Sequence, residues 1–251
     1  MREVTELIQR GPAEALAGLL GVPMPEDELP LFWHWVYLLD RPAQRELGRD
    51  GHVAAGVEPG RRRMFAGGEV RALAPLRFDA PATRRTQLLD TTEKQGRSGR
   101  LVFTTIGQQV FQRDALVVDE RQTIVYRDLP PGPSPDEPFE PRPVAENEWS
   151  IEITPSLLFR FSALTYNGHR IHYDRDYARD VERYPGLVTH GPLQALAMAE
   201  AARARGLGAA CTYRLVAPLF EHQGLVVSVT DSGEASVHDR SGRETARATI
   251  S

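Results

Sequence analysis

Seven prolines, at 130, 131, 133, 135, 138, 141 and 143, crowd the middle of this 251-residue chain. Each lacks an amide hydrogen and has a fixed φ, so the run can neither join a sheet nor continue a helix. An extended polyproline-type connector satisfies such a composition. The chain is therefore expected to have an N-terminal unit over 1–128, a connector over 129–147 and a C-terminal unit over 148–251.

The two units carry a weak internal repeat at an offset of 143 residues. Arg71, Ala74, Pro75 and Leu76 match Arg214, Ala217, Pro218 and Leu219, and Arg97-Ser98-Gly99-Arg100 matches Arg240-Ser241-Gly242-Arg243. Similarity at a fixed period is a signature of duplicated units. Residues 69–76, 83–91, 100–112 and 115–127 are rich in Val, Ile, Thr, Phe and Tyr and bounded by Gly, Asp or Pro, which predicts antiparallel strands. In the second unit, 212–220, 224–230, 234–239 and 244–250 correspond to them. Gln95-Gly96 and Ser241-Gly242 supply hairpin chemistry.

Helix content separates the units. Residues 191–205 predict one long helix, with Pro192 at its start, strong helix formers within and Gly206 as its stop. Its alanines make a thin rod able to lie close against a curved sheet. The matching stretch of the first unit, 40–60, is broken by Pro42, Gly48, Gly51, Gly56 and Pro59 and cannot hold such a helix whole. Thr154-Pro155 opens a short helix to about 162, and Asp174 caps another over 175–181.

A formal net charge of −4 with interspersed signs excludes the basic face a nucleic-acid partner would require. Cys211 is the sole cysteine, so no internal disulfide is possible. The charged start, Met1-Arg-Glu-Val-Thr-Glu, lacks the apolar core of a signal peptide, and no run approaches the ~20 apolar residues of a membrane span. A soluble cytoplasmic protein without a membrane partner is expected.

The chemistry concentrates in Phe161-Ser-Ala-Leu-Thr-Tyr-Asn-Gly-His-Arg-Ile-His-Tyr-Asp174, where an amide, two imidazoles and a guanidinium occupy one loop between two short helices. An imidazole titrating near neutrality can take a proton from water and return it. His169 and His172 lack a neighbouring ligand that would complete a metal set, so no metal is expected. This stretch is similar to the active-site segment of the MaoC-like enoyl-thioester hydratases. Its full run looks more like their mesaconyl-CoA (3-methylfumaryl-CoA) hydratase and mitochondrial-type 3-hydroxyacyl-thioester dehydratase branch. Arg61-Arg62-Arg63-Met64-Phe65-Ala66-Gly67-Gly68 resembles a run of the same branch.

The resemblance implies an α+β double hot-dog: two curved antiparallel sheets, with the long central helix complete only in the C-terminal half. It implies hydration or dehydration of an α,β-unsaturated acyl thioester, carried by coenzyme A or acyl carrier protein, with no cofactor beyond the coenzyme A of the substrate. His172 would be base and acid. Asn167, which stands where the wider family has Asp, would orient the water, and the Gly191 N–H at the helix start would hold the thioester oxygen beside His190. An Asp at 167 would repel a substrate bearing its own carboxylate, so a small dicarboxylic acyl group is preferred over a fatty one. Arg170 or Arg160 could pair with that carboxylate. Arg62 and Arg63 could bind coenzyme A phosphates, Gly67 and Gly68 could pass the pantetheine arm, and the cluster from Phe32 to Trp35 could line an acyl pocket. A thioesterase and a non-catalytic acyl-CoA binder are the rival readings. Each chain would supply two hot-dog units, which leaves a homodimer possible but not required.

Overall fold

The computed structural model describes residues 1–53, 61–96, 99–129, 132 and 139–251. In chain order these are β1 (Arg2–Leu7), α1 (Arg10–Leu20), β2 (Arg61–Ala72), β3 (Pro81–Gly96), β4 (Gly99–Gln112), β5 (Ala115–Asp128), β6 (Trp149–Ile151), α2 (Pro155–Leu164), α3 (Gly191–Arg203), β7 (Ala210–Leu215), β8 (Leu225–Val229), β9 (Glu234–His238) and β10 (Glu244–Ile250). Every strand joins one antiparallel sheet in the order β1-β3-β4-β5-β2-β7-β10-β9-β8-β6. Read outward from the central β2–β7 pair, the two sides follow the same path.

The repeat is partly a register of this symmetry. Leu73 and Ala74 donate their backbone N–H groups to Val117 O, and Val216 and Ala217 donate theirs to Thr245 O, so the Ala-Pro-Leu runs leave equivalent strands in the same way. The second group of identities is not equivalent. Residues 240–243 turn between β9 and β10, whereas Gly99 and Arg100 open β4, Arg97 and Ser98 lying outside the described residues; the topological counterpart of the β9–β10 turn is Arg113-Asp114. Most of the proline run, 130–131 and 133–138, lies outside the described residues. Its far end is fastened by Arg142, whose guanidinium reaches both oxygens of Glu148 at 2.9 and 2.7 Å.

α3 starts with Pro192 in its first turn, and nine of its residues are buried against the second half of the sheet, Leu193, Leu196 and Met198 fully. Alanine on the intervening positions lets the rod approach the strands closely. In the corresponding part of the first half, the described residues hold only 3₁₀ turns at Trp33–Val36 and Gln44–Glu46. Phe32 and Trp33 are core rather than pocket lining, and the Trp33 indole N–H donates to Glu200 on α3 at 2.6 Å. Sequence patterning missed β1, α1 and β6. The first two form because alternating Val4, Glu6 and Ile8 lead into an Ala/Leu stripe closed by Gly21 at φ 69°. Among the described residues no helix is long and apolar enough to cross a membrane.

The burial of α3 makes its apolar face the most exacting packing site. Leu196→Ala, which empties a fully buried position, should cost about 2–5 kcal/mol of unfolding free energy by denaturant titration.

Candidate active site

α2 is capped by the Thr154 side chain, which accepts from the Leu157 N–H at 3.1 Å. It ends in a sharp turn at Tyr166, φ 51°. Asn167 follows, its Oδ1 accepting the His169 N–H at 3.0 Å, which folds the loop back on itself. A 3₁₀ turn, Arg170–His172, then presents His172, and Asp174 caps the next turn through the Tyr177 N–H at 3.0 Å. The loop is steadied from the first half of the chain. The Arg170 N–H donates to Asp50 O at 2.9 Å, and a Cβ on Gly51 would lie 1.8 Å from Gly168 O. Only glycine, here at φ 90°, permits that approach.

This contact assembles a row of four imidazoles. Ring centroids are 4.2 Å apart for His52 and His169, 5.4 Å for His169 and His172, and 3.6 Å for His172 and His190, the last pair stacked at 19°. A second atom is fixed for each. The Asp50 carboxylate holds His52 Nδ1 at 3.2 Å, Glu182 holds His169 Nε2 at 3.1 Å, and Ser162 Oγ holds His190 Nε2 at 2.8 Å. His172 Nδ1 lies 2.7 Å from Val188 O. A carbonyl can only accept, so Nδ1 carries the proton and Nε2 keeps its lone pair. Burial, reinforced by the charges of His52 and Arg63, holds His172 down at about 3. His52, His169 and His190 are lowered chiefly by the same burial. The row is neutral.

A cleft of about 730 Å³ opens onto the row. Its wall includes Asn167, His169, His172 and Gly191, together with His52, Arg63 and Phe65 from the first half. Gly191 opens α3, where first-turn N–H groups have no partner within the helix and the dipole is positive. A Cβ there would sit 3.1 Å from Phe65 Cδ1 and 3.3 Å from Leu215 Cγ, so the glycine lets the helix start pack closely against these two side chains.

Several predicted residues have other work. His190 is wholly buried behind His172 and supports its ring instead of touching the cleft. Arg62 lies over the Tyr184 ring at 4.0 Å and donates to Glu182 O, a packing role rather than a free phosphate ligand. Gly67 and Gly68 belong to β2 and face other strands: added Cβ atoms would meet Tyr213 O at 2.4 Å and Arg121 O at 2.2 Å, which leaves no passage for a pantetheine arm. Arg170 is bound twice to Asp174, at 3.0 and 2.7 Å, and stacks on Tyr177, while Arg160 is exposed on α2 away from the cleft wall. Neither is placed to receive a substrate carboxylate.

The sequence reading did not include Asp50, His52 and Glu182. Asp50, His52 and His169 offer ligand atoms within 4.8 Å of one another. His52 Nδ1 and His169 Nε2 are nevertheless engaged by carboxylates, and the Arg63 guanidinium adjoins His52 Nε2 at 3.2 Å. A fixed positive charge there suits an anion better than a cation. Glu200, the carboxylate a thioesterase would need on the helix, is buried between Trp33 and Arg203.

One continuous antiparallel sheet of two halves, with a long helix on one and, among the described residues, no counterpart on the other, and a His/Asn cleft at that helix start define a double hot-dog protein. HtdX of Mycobacterium tuberculosis superposes over 99% of both chains with TM-score 0.71 at 18% identity. A second protein from that organism, described as a double hot-dog, covers 98% of this chain and 92% of its own with TM-score 0.58 at 14% identity. The family described as hydroxyacyl-thioester dehydratase type 2 matches residues 32–221, and the chain belongs to it. It is 46% identical over 210 residues to mesaconyl-C(4)-CoA hydratase of Chloroflexus aurantiacus, covering 80% of this chain and 74% of that one. It is also 30% identical over 123 residues to the mitochondrial hydroxyacyl-thioester dehydratase type 2 of Schizosaccharomyces pombe, covering 47% of this chain and 41% of that one.

Burial raises the Glu182 carboxyl to about 7 even though Arg62 opposes the shift. A raised acid stabilises the fold while protonated, fully below its unfolded value of 4.5, and loses that contribution as pH climbs through about 7. Glu182→Gln cannot ionise. Between pH 5 and 8 its stability should therefore gain on the wild type by on the order of 2 kcal/mol, read from paired thermal melts.

Proposed function

We propose that the chain is a hydro-lyase that adds water to, or removes it from, an α,β-unsaturated acyl-CoA thioester. The observation that carries this reading is the fixed tautomer of His172, whose lone-pair Nε2 belongs to the cleft wall that also holds the start of α3. In the hydration direction His172 Nε2 takes a proton from water as the water oxygen bonds to the β-carbon. The π electrons move toward the thioester carbonyl, and the enolate oxygen is held by the Gly191 N–H and the helix dipole. The imidazolium then returns its proton to the α-carbon, which restores the thioester. A base held at about 3 stays unprotonated throughout the neutral range, and its conjugate acid is a ready donor for that second step. Asn167, with its Oδ1 committed to the His169 N–H, retains amide N–H groups to orient the water oxygen.

The acyl group is taken to be small and dicarboxylic, of the mesaconyl kind, because the chain is 46% identical over 210 residues to a hydratase of that thioester and Asn167 removes a negative charge where such a substrate would suffer from one. Coenzyme A is the preferred carrier, and the cytoplasm the preferred place.

Incubation with crotonyl-CoA and with mesaconyl-C(4)-CoA, following both the enoyl-thioester absorbance and free thiol, tests the reading. Absorbance should fall without thiol; thiol release would instead mark a thioesterase. His172→Ala should lower kcat by about 10²–10⁴-fold with an unchanged melting temperature. Asn167→Asp should reduce kcat/KM for mesaconyl-C(4)-CoA at least tenfold more than for crotonyl-CoA, and an increase would remove the charge argument.

A further inference from the structure

Arg63 is a cation in the cleft wall whose neighbour is a neutral ring. Among the described residues no carboxylate pairs with it; its Nη1 lies 3.2 Å from His52 Nε2. The direction of that bond is fixed from behind. Asp50 accepts the His52 Nδ1–H, so His52 Nε2 must be the acceptor and the guanidinium the donor. The Asp50 carboxylate is held in turn by the His52 backbone N–H, which donates to its Oδ1 at 3.0 Å. Asp50 and His52 thus aim Arg63 without neutralising it by direct contact, and leave the rest of its planar fork open to an oxygen pair.

Its position relative to the chemistry is also defined. The charge of Arg63 is felt at His52, His169 and His172 alike. Strand alternation puts Arg63 on the same face as its cross-strand partner Tyr126, and puts Arg62 and its partner Arg127 on the other. Among the other arginines of the cleft wall, Arg2 reaches Asp40 at 3.3 Å, Arg62 is stacked on Tyr184, Arg84 is bonded to Asp40 at 2.6 Å and Gln108 at 3.1 Å, and Arg127 lies on the Arg62 face of the sheet.

We propose that Arg63 is the specificity-determining residue of the cleft, receiving the free carboxylate of a short dicarboxylic acyl thioester, with His52 and Asp50 as positioning residues. This rests on the hydro-lyase reading and deepens it. The sequence alone pointed Arg63 toward the phosphates of coenzyme A; its place beside the imidazole row assigns it to the acyl end. A carboxylate one or two bonds from the reacting double bond would reach it while the β-carbon faces His172. A neutral acyl chain would leave the charge unpaired.

Calorimetric binding of succinyl-CoA and butyryl-CoA, saturated thioesters that cannot be hydrated and that differ in the carboxylate, tests the proposal on the full chain. Wild-type protein should prefer succinyl-CoA. Arg63→Gln should cut that preference by about 10–100-fold, Arg63→Lys should restore part of it, and His52→Ala should lower it while leaving the melting temperature near that of wild type. Arg160→Gln, at an exposed position away from the cleft wall, should leave the preference in place. An equal loss of both ligands in Arg63→Gln, as expected of a phosphate contact, or no loss at all, would overturn the assignment. The binding ratio reports on Arg63 even if neither enoyl thioester is hydrated, so a failure of the hydro-lyase reading remains separate. Conversely, a wild-type protein that hydrates mesaconyl-C(4)-CoA while Arg63→Gln keeps the full succinyl preference would retain the reaction and sink the carboxylate assignment.

Discussion

The pairing of β2 with β7 makes one sheet of two halves, and the site depends on it. Gly67 and Gly68 stand opposite Arg214 and Tyr213 at this seam. A side chain at either position would collide with backbone oxygens of neighbouring strands, so the seam closes only because both are glycine. Around it Phe65, Tyr213, Phe32 and Trp35 stack with centroids 4.4 to 6.2 Å apart, a plug that holds both halves in one register. Phe65 also lies against Gly191, which sets the start of α3 beside a strand of the other half. Arg63, two residues along β2 on the same face, is carried into the cleft by the same pairing.

The lost helix of the first half matters for a related reason. A rod over β2 to β5 would cover Thr86, Gln108 and Gln122, which instead line the cleft. The replacing segment buries its own polar groups with care: Glu120 takes the His34 ring at 2.8 Å and the Trp35 indole N–H at 2.9 Å. The freed length then continues to Asp50, Gly51 and His52, which touch the catalytic loop. In the proposed reaction one half supplies the imidazole that acts as base, and the other supplies the surroundings that tune it.

What the sequence made legible was local. Thr154, Asp174 and Pro192 announce helix starts through side-chain and ring geometry that acts within a few residues, and β-branched runs announce strands. His172, Asn167 and Gly191 stood out because one loop and one helix start carry them. The rest depends on contacts that leave no period in the sequence. Gly51 looked like a helix breaker, and it is one, yet its reason is Gly168, more than a hundred residues away. His52 and Glu182 gave no signal in the sequence; each acquires meaning only from an imidazole brought to it by the fold. Gly67 and Gly68 were misread for the same reason, since glycine marks a close approach without saying to what.

The imidazole row explains why the site would want a charged substrate. Each ring is desolvated, so none gains a proton readily, and the Arg63 charge lowers His52, His169 and His172 further. Burial chiefly holds His172 neutral, which keeps its Nε2 lone pair free to take a proton from water in the proposed reaction. A carboxylate seated on Arg63 would cancel the charge that opposes protonation of His172, in surroundings where screening by water is poor. Binding the substrate would then strengthen the base that acts on it. A neutral thioester would leave Arg63 uncompensated and His172 at its unliganded proton affinity. Binding a carboxylate at Arg63 would therefore relieve one of the charges that lower His172, burial remaining the larger cause, so that recognition adds to the basicity of a row that the two halves build together.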